Sequence, residues 1–116
     1  MKKYLLDTHT ILWFLNGDKN LSSKAKEIIS SGDNQCYISV GSLWEITIKI
    51  KLGRLDLGVE LKEFAELLSD NDIKVIQISV EHLLALLDLE DLHGDPFDKL
   101  ILSQAKSENM GLISKD

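Results

Sequence analysis

Cysteine and proline are almost missing: Cys36 and Pro96 are the single copies among 116 residues. A lone cysteine excludes an intramolecular disulfide framework, and a reducing cytoplasm fits it best. There is no internal repeat, no low-complexity tract and no linker-like stretch, so nothing divides the chain. Positive charge is also in short supply. Thirteen Lys and Arg face 19 Asp and Glu, for a net charge of −6. That excludes binding of nucleic acid by bulk positive charge and leaves room only for a local basic patch. Long apolar runs are absent too, since none approaches the ~20 residues that span a membrane. The early apolar stretch over residues 5–15 follows Lys2 and Lys3, in the manner of a signal peptide. Asp7 and His9 interrupt it, however, and Asn16, Gly17 and Asp18 stand where small cleavage-site residues would be. What remains is 44% hydrophobic and 28% charged, the composition of one soluble globular domain over residues 1–116. A domain of this size buries roughly two-thirds of its unfolded surface and needs no metal or disulfide to fold.

Along the chain, apolar β-favouring runs alternate with amphipathic segments. Residues 3–6 read as a buried first strand, followed by a helix over residues 8–15 that stops at Asn16-Gly17. Ser22 or Ser23 caps a second helix to about Ser31, and residues 36–39 form a second strand. Ser42 and Glu45 have the spacing of a capping box, opening a helix that carries Ile46, Ile48, Ile50 and Leu52. Residues 60–68 form an amphipathic helix with Leu61, Phe64, Ala65 and Leu68 on one face. A third strand over residues 73–78, a helix from Ser79 to about Leu87, a helix over residues 97–108 and a fourth strand over residues 110–114 complete the series. This order predicts an α/β fold, a central parallel sheet of four strands between two helical layers, with right-handed crossovers. In such sheets ligand chemistry gathers at the carboxyl ends of the strands.

The acids fall at that edge. Asp7 closes the first strand, Glu45 lies in the first turns of the helix after the second, and Asp116 stands just past the fourth. Asp98 opens the helix that runs antiparallel into the fourth strand, so its position is at the same rim. Each has a duller reading on its own. Asp7 can begin a turn, Glu45 can complete a capping box, Asp98 can complement a helix dipole, and Asp116 can be an ordinary terminal acid. Asp95, before Pro96, reads as an N-cap or turn residue outside the set. The joint pattern carries the weight. Two unit charges ~4 Å apart cost about 4 kcal/mol at an effective dielectric of ~20, so converging carboxylates call for a cation or for protons. Carboxylate ligands with retained waters suit Mg²⁺ or Mn²⁺, not structural zinc. Such an ion can activate water and stabilise a leaving oxygen in phosphodiester cleavage.

Four blocks of sequence then resemble a known family. They are Leu5-Leu6-Asp7-Thr8-His9, the stretch SVGSLWEITIK at residues 39–49, Asp95-Pro96-Phe97-Asp98-Lys99-Leu100-Ile101 with Gln104-Ala105, and Leu112-Ile113-Ser114-Lys115-Asp116. In this order and spacing the chain resembles PIN-domain ribonucleases, nearest to the VapC toxins of bacterial toxin–antitoxin pairs. The resemblance implies a three-layer αβα PIN-like, Rossmann-like fold. It also implies a Mg²⁺- or Mn²⁺-dependent endoribonuclease acting on single-stranded RNA, a cognate antitoxin partner and a homodimer. The family's acids map onto Asp7, Glu45, Asp98 and Asp116, and its supporting hydroxyls onto Thr8 and Ser114. Family members continue past the last acid through a short further strand, which is missing from this sequence. A sheet edge is then expected to lie uncovered, with Asp116 on a chain end.

Local positive charge comes from Lys49, Lys51 and Arg54 after Glu45, and from Lys99 and Lys106 near Asp98. Most of these read as solvated or dipole-complementing charges. Lys49 and Lys99 stand within a turn of proposed ligands and are expected to contact substrate phosphate. His9 and His93 are expected in structural or substrate-contact roles, and His82 in partly exposed packing. Trp13, Phe14 and Trp44 read as core or dimer-surface residues, with the dimer that the resemblance implies expected through helices of the N-terminal half and the segment near residues 60–68, on Leu12, Trp13 and Leu61. Two other functions compete. A flavodoxin-like Mg²⁺-binding receiver would need paired acids after the first strand and an acid ending the third, where Ile78-Ser79 stands instead. A catalytically weak PIN-like binding module would keep the fold and lose the chemistry.

Overall fold

Short apolar runs set the sheet. The structure is a computed structural model that describes residues 1–90 and 94–114. Strands β1 (Lys2–Leu6), β2 (Asn34–Ser39), β3 (Ile73–Ile76) and β4 (Gly111–Ile113) are all parallel, in the order β3-β2-β1-β4. Among the described residues six helices connect them: α1 (Thr8–Asn16), α2 (Ser23–Ser30), α3 (Val40–Lys51), α4 (Leu61–Asp70), α5 (Val80–Leu87) and α6 (Pro96–Ser107).

Successive residues of a strand point to opposite faces, and β1 shows both layers in two residues. Leu6 joins a core with Ile11 of α1, Ala25 and Ile29 of α2, Ile46 of α3, and Phe64 and Leu68 of α4. Leu5 faces the other way, against Ile101 and Ala105 of α6. Helix α5 packs on α6. The sheet is thus covered on both sides, as a parallel sheet requires. Strand order reverses at β1: the chain moves to β2 and β3 on one side and returns as β4 on the other.

Helix ends follow local chemistry. Gly17, at φ 63°, closes α1 in the left-handed conformation that glycine adopts without Cβ strain. Ser22 caps α2, and Ser79 caps α5. Pro96 occupies the first turn of α6, where its missing N–H costs nothing, and Asp95 is the N-cap, accepting from the Phe97 amide.

Several sequence expectations need correction. Helix α3 begins at Val40 with Ser39 as its N-cap, its hydroxyl accepting from the Gly41 amide at 2.9 Å. Ser42 and Glu45 therefore lie inside the helix and form no capping box. Strand β3 ends at Ile76, because its partner β2 stops at Ser39 and no ladder remains for Ile78. In α4 only Phe64 and Leu68 are buried; Leu61 and Ala65 are exposed. On α3, Ile50 and Leu52 are exposed as well. His82 is buried, at 1% exposure. Its Nδ1 accepts from the Ser79 amide, and its Nε2 lies 2.6 Å from Glu108 at the end of α6. With Nδ1 accepting, Nε2 carries the proton toward that carboxylate. The ring thereby ties α5 to α6.

Candidate functional site

The carboxyl edge of the sheet collects the first turns of α1, α3 and α6. Asp7 follows β1 directly and is the N-cap of α1, with its carboxylate accepting from the Thr10 amide at 2.8 Å. Its own amide donates to Ile113 of β4 at 3.0 Å. The buried Thr10 hydroxyl donates to the same carbonyl at 3.2 Å. These bonds fix the start of α1 to the ends of β1 and β4.

Thr8, the first residue of α1, is buried beside α3. Its hydroxyl lies 2.7 Å from Glu45 Oε1 and 3.0 Å from Ser42 Oγ. A hydroxyl has one proton and a carboxylate can only accept, so the Thr8 proton goes to Glu45. Glu45 is 3% exposed, a depth at which an unbalanced carboxylate is costly. Its second oxygen, Oε2, accepts from Lys49 Nζ at 2.8 Å, one helical turn on. Thr8, Ser42, Glu45 and Lys49 thus form one polar string across the α1–α3 contact.

Two contacts bring α6 to the same rim. Phe97 meets Trp44 edge to face, with ring centroids 5.2 Å apart and planes at 80°. A Cβ built on Gly41 would stand 2.8 Å from Leu100 Cδ2, so α3 and α6 approach as closely as glycine permits. Asp98 sits between Phe97 and Leu100, exposed in the first turn of α6. Lys99 is half-buried beside it, its stem 3.9 Å from the Cβ position of Gly94. Ser114 follows β4 and is exposed.

The structure thus brings Thr8, Ser42, Glu45 and Lys49 into one string, while Asp7, Asp98, Lys99 and Ser114 stand at the ends of elements that meet the carboxyl edge of the sheet. Asp116 and His93 lie outside the described residues. Among the described residues, no three His, Cys, Asp or Glu side chains gather into a group that could hold a metal. Asp7 and Glu45 are occupied instead, Asp7 by the α1 amide and Glu45 by Lys49 and Thr8. A Mg²⁺ ion needs only one or two carboxylates because it retains several waters. The carboxylates that this edge of the sheet would offer it are Asp7, Glu45 and Asp98, one each from the start of α1, the second turn of α3 and the first turn of α6.

Sequence reasoning missed Ser42 in this string, although its spacing of three from Glu45 put both on one helix face. Of the two readings for Trp44, core or dimer surface, its 59% exposure excludes the core. Leu12 and Trp13 are half-buried within the domain. His9 is half-buried too, with its ring 5.9 Å from that of Trp13. The receiver alternative gains nothing, since β3 ends without an acid. A cleft of about 610 Å³ opens at the opposite, amino edge of the sheet, lined by Ser30, Asn34, Asp72 and Lys74 among others. It lies away from the rim where parallel sheets place their chemistry. No helix among the described residues is long and apolar enough to cross a membrane.

Comparison with known proteins agrees with this fold. The model of the PIN domain family matches residues 4–116. No curated protein matches the chain. Among solved structures, the chain is similar to VapBC2 from Rickettsia felis bound to a DNA fragment from its promoter. That match has 20% identity and a TM-score of 0.69, covering 95% of this chain and 85% of the other. It is also similar to a toxin–antitoxin complex from Klebsiella pneumoniae, with 20% identity, a TM-score of 0.68, and 97% and 86% covered.

Proposed function

Because this chain belongs to the PIN domain family, we propose that it is a Mg²⁺- or Mn²⁺-dependent endoribonuclease that cleaves single-stranded stretches of RNA. We place it as the toxin of a toxin–antitoxin pair, restrained by a cognate antitoxin. The observation that carries the reading is Glu45: a buried carboxylate held on both oxygens, at the rim where Asp7 and Asp98 also stand.

In this reading Asp7, Glu45, Asp98 and Asp116 hold the divalent ion, which supplies activation of water and charge stabilisation at the scissile phosphate. Thr8 fixes the Glu45 carboxylate, and Ser114, two residues before the last acid in sequence, would help orient water. Lys49 balances Glu45 and is available to a phosphate that enters the rim. Lys99 offers a second cation next to Asp98. Both solved relatives are toxin–antitoxin complexes, which supports an antitoxin partner here. A homodimer belongs to the same proposal. Its contact is best placed on α5, where Val80, Leu83, Leu84 and Leu87 are exposed together. Sedimentation of the wild type against Leu84→Lys tests that contact.

The decisive experiment uses Asp98→Asn. Asp95 caps α6, so this substitution leaves the N-cap in place, and a denaturation curve of the variant reads any change in stability separately from activity. RNA pools are incubated with Mg²⁺, Mn²⁺ or a chelator. The wild type is expected to cleave with either ion and to stop with chelator, and Asp98→Asn to lose orders of magnitude. Cleavage that persists in chelator, or an Asp98→Asn enzyme as active as wild type, overturns the proposal.

A further inference from the structure

The exposed side of α3 carries a pattern that the acidic rim does not use. Trp44, Thr47 and Lys51 are spaced by three and four residues and are all exposed, so they share one helix face. Arg54 follows, also exposed. Its amide donates to the Lys49 carbonyl at 2.8 Å, and Gly53 at φ 72° makes the turn. That bond is the outer one of a Schellman motif, which keeps Arg54 folded against the helix end. Among the described residues neither Lys51 nor Arg54 has an ion-pair partner. Both cations stand on the C-terminal side of the exposed indole, and Lys51 shares a cleft with Asp56 and Glu60.

The indole is also held in place. Phe97 meets it at 80°, and an edge-to-face contact covers at most one indole face. With Trp44 59% exposed, a flat, buttressed surface faces solvent. Trp44 immediately precedes Glu45, and Phe97 immediately precedes Asp98. The platform therefore spans the two elements that bring acids to the rim. Thr47, whose hydroxyl is taken by the Leu43 carbonyl at 2.7 Å, keeps the face low between Trp44 and Lys51. From Trp44 to Lys51 the helix rises about 10 Å.

We propose that this face of α3 is the track for the single-stranded nucleic acid: an unpaired base stacks on Trp44, and the phosphates beyond it run over Lys51 and Arg54. The inference rests on the ribonuclease reading of the rim and adds how the strand is seated. Stacking on an aromatic ring beside cations is the general way to hold a single strand without reading its sequence. It discriminates against duplexes, whose bases are already stacked.

The test measures binding in chelator, so it does not depend on cleavage. A Trp13→Phe protein leaves Trp44 as its only tryptophan. It is titrated with a short unstructured oligoribonucleotide of adenine and uracil, with an abasic strand of equal length, and with a hairpin duplex. The single strand is expected to quench Trp44 emission, and the abasic strand and hairpin are not. Trp44→Ala should weaken binding of the single strand about 5- to 150-fold. Lys51→Ser/Arg54→Ser should make the salt dependence of binding shallower by about 1.4 in log–log slope. Absent quenching with the single strand overturns the track, whatever the enzyme cleaves. So does unchanged affinity in Trp44→Ala together with an unchanged salt slope in the double variant. Quenching and weakened variants in a protein that never cleaves RNA would keep the track and sink the ribonuclease reading. Cleavage by a protein whose Trp44 stays silent would do the reverse.

Discussion

Removing Lys49 probes the balance of the rim, and Lys49→Met does so with little loss of volume. The ammonium stands 2.8 Å from Glu45 Oε2. At an effective dielectric of ~20 the bare attraction over that distance is about 6 kcal/mol. Most of it does not survive as net stability. The Lys49 side chain is 40% exposed while that of Glu45 is 4% exposed, so water screens the lysine and only the carboxylate has lost its solvation. The Thr8 hydroxyl remains on the other oxygen. The expected cost of Lys49→Met at neutral pH is therefore about 2 kcal/mol, below the range for fully buried pairs. That corresponds to about 8 °C in Tm for a domain of this size. The assay is urea or thermal denaturation of wild type, Lys49→Met, Glu45→Gln and the double variant. Once Glu45 is neutral the lysine has little left to balance, so a coupling of about 1–2 kcal/mol is expected across the cycle. Mg²⁺ should raise the Tm of Lys49→Met more than that of the wild type, because the lysine no longer competes for the carboxylate. A Lys49→Met protein as stable as wild type, or a cycle that is simply additive, would refute the claim that Lys49 carries the buried charge.

Thr8→Val keeps the shape and removes the hydroxyl shared by Glu45 and Ser42. It should cost about 1–3 kcal/mol in denaturation and lower RNA cleavage more than RNA binding. Gly41→Ala should destabilise by about 1 kcal/mol, since overpacking against Leu100 outweighs the better helix propensity of alanine. A more stable Gly41→Ala protein would show that α3 and α6 are not in such close approach. Burial pushes the Cys36 thiol up from its ordinary value of 9.0. The folded chain then holds that proton more tightly than the unfolded one, so its contribution to stability is full below about pH 9 and is lost as pH rises through the folded value. Denaturation midpoints should fall above about pH 9, and less steeply in Cys36→Ala.

Much of this layout is written locally. Leu5 and Leu6 followed at once by a capping aspartate mark the end of β1 and the start of α1, and Asn16-Gly17 marks the end of that helix. The alternation of apolar runs with helical periods gives the parallel sheet, and with it the edge where Asp7, Glu45 and Asp98 stand. What is not legible depends on neighbours distant in sequence. Ser42 has the spacing of a cap with Glu45, yet the β2–β3 ladder ends at Ser39, and that end makes Ser39 the cap instead. Ile78 continues an apolar pattern but has no partner strand left. The pairing of Glu45 with Lys49 follows helical spacing, yet its weight comes from the depth of Glu45 beneath α1, which spacing does not reveal. Trp44 reads equally as core or as surface from its type alone; it is exposed because its helix turns Ile46 and Glu45 inward instead.

The claim that the rim holds a divalent ion through Asp7, Glu45 and Asp98 is tested most directly by calorimetric titration of Mn²⁺ into the wild type and into Asp98→Asn. Manganese accepts the same oxygen ligands as magnesium. The account predicts saturable binding to the wild type and binding weakened at least about tenfold in Asp98→Asn, a loss of about 1.4 kcal/mol or more. Equal Mn²⁺ affinity in the two proteins, or no binding to the wild type, would contradict it.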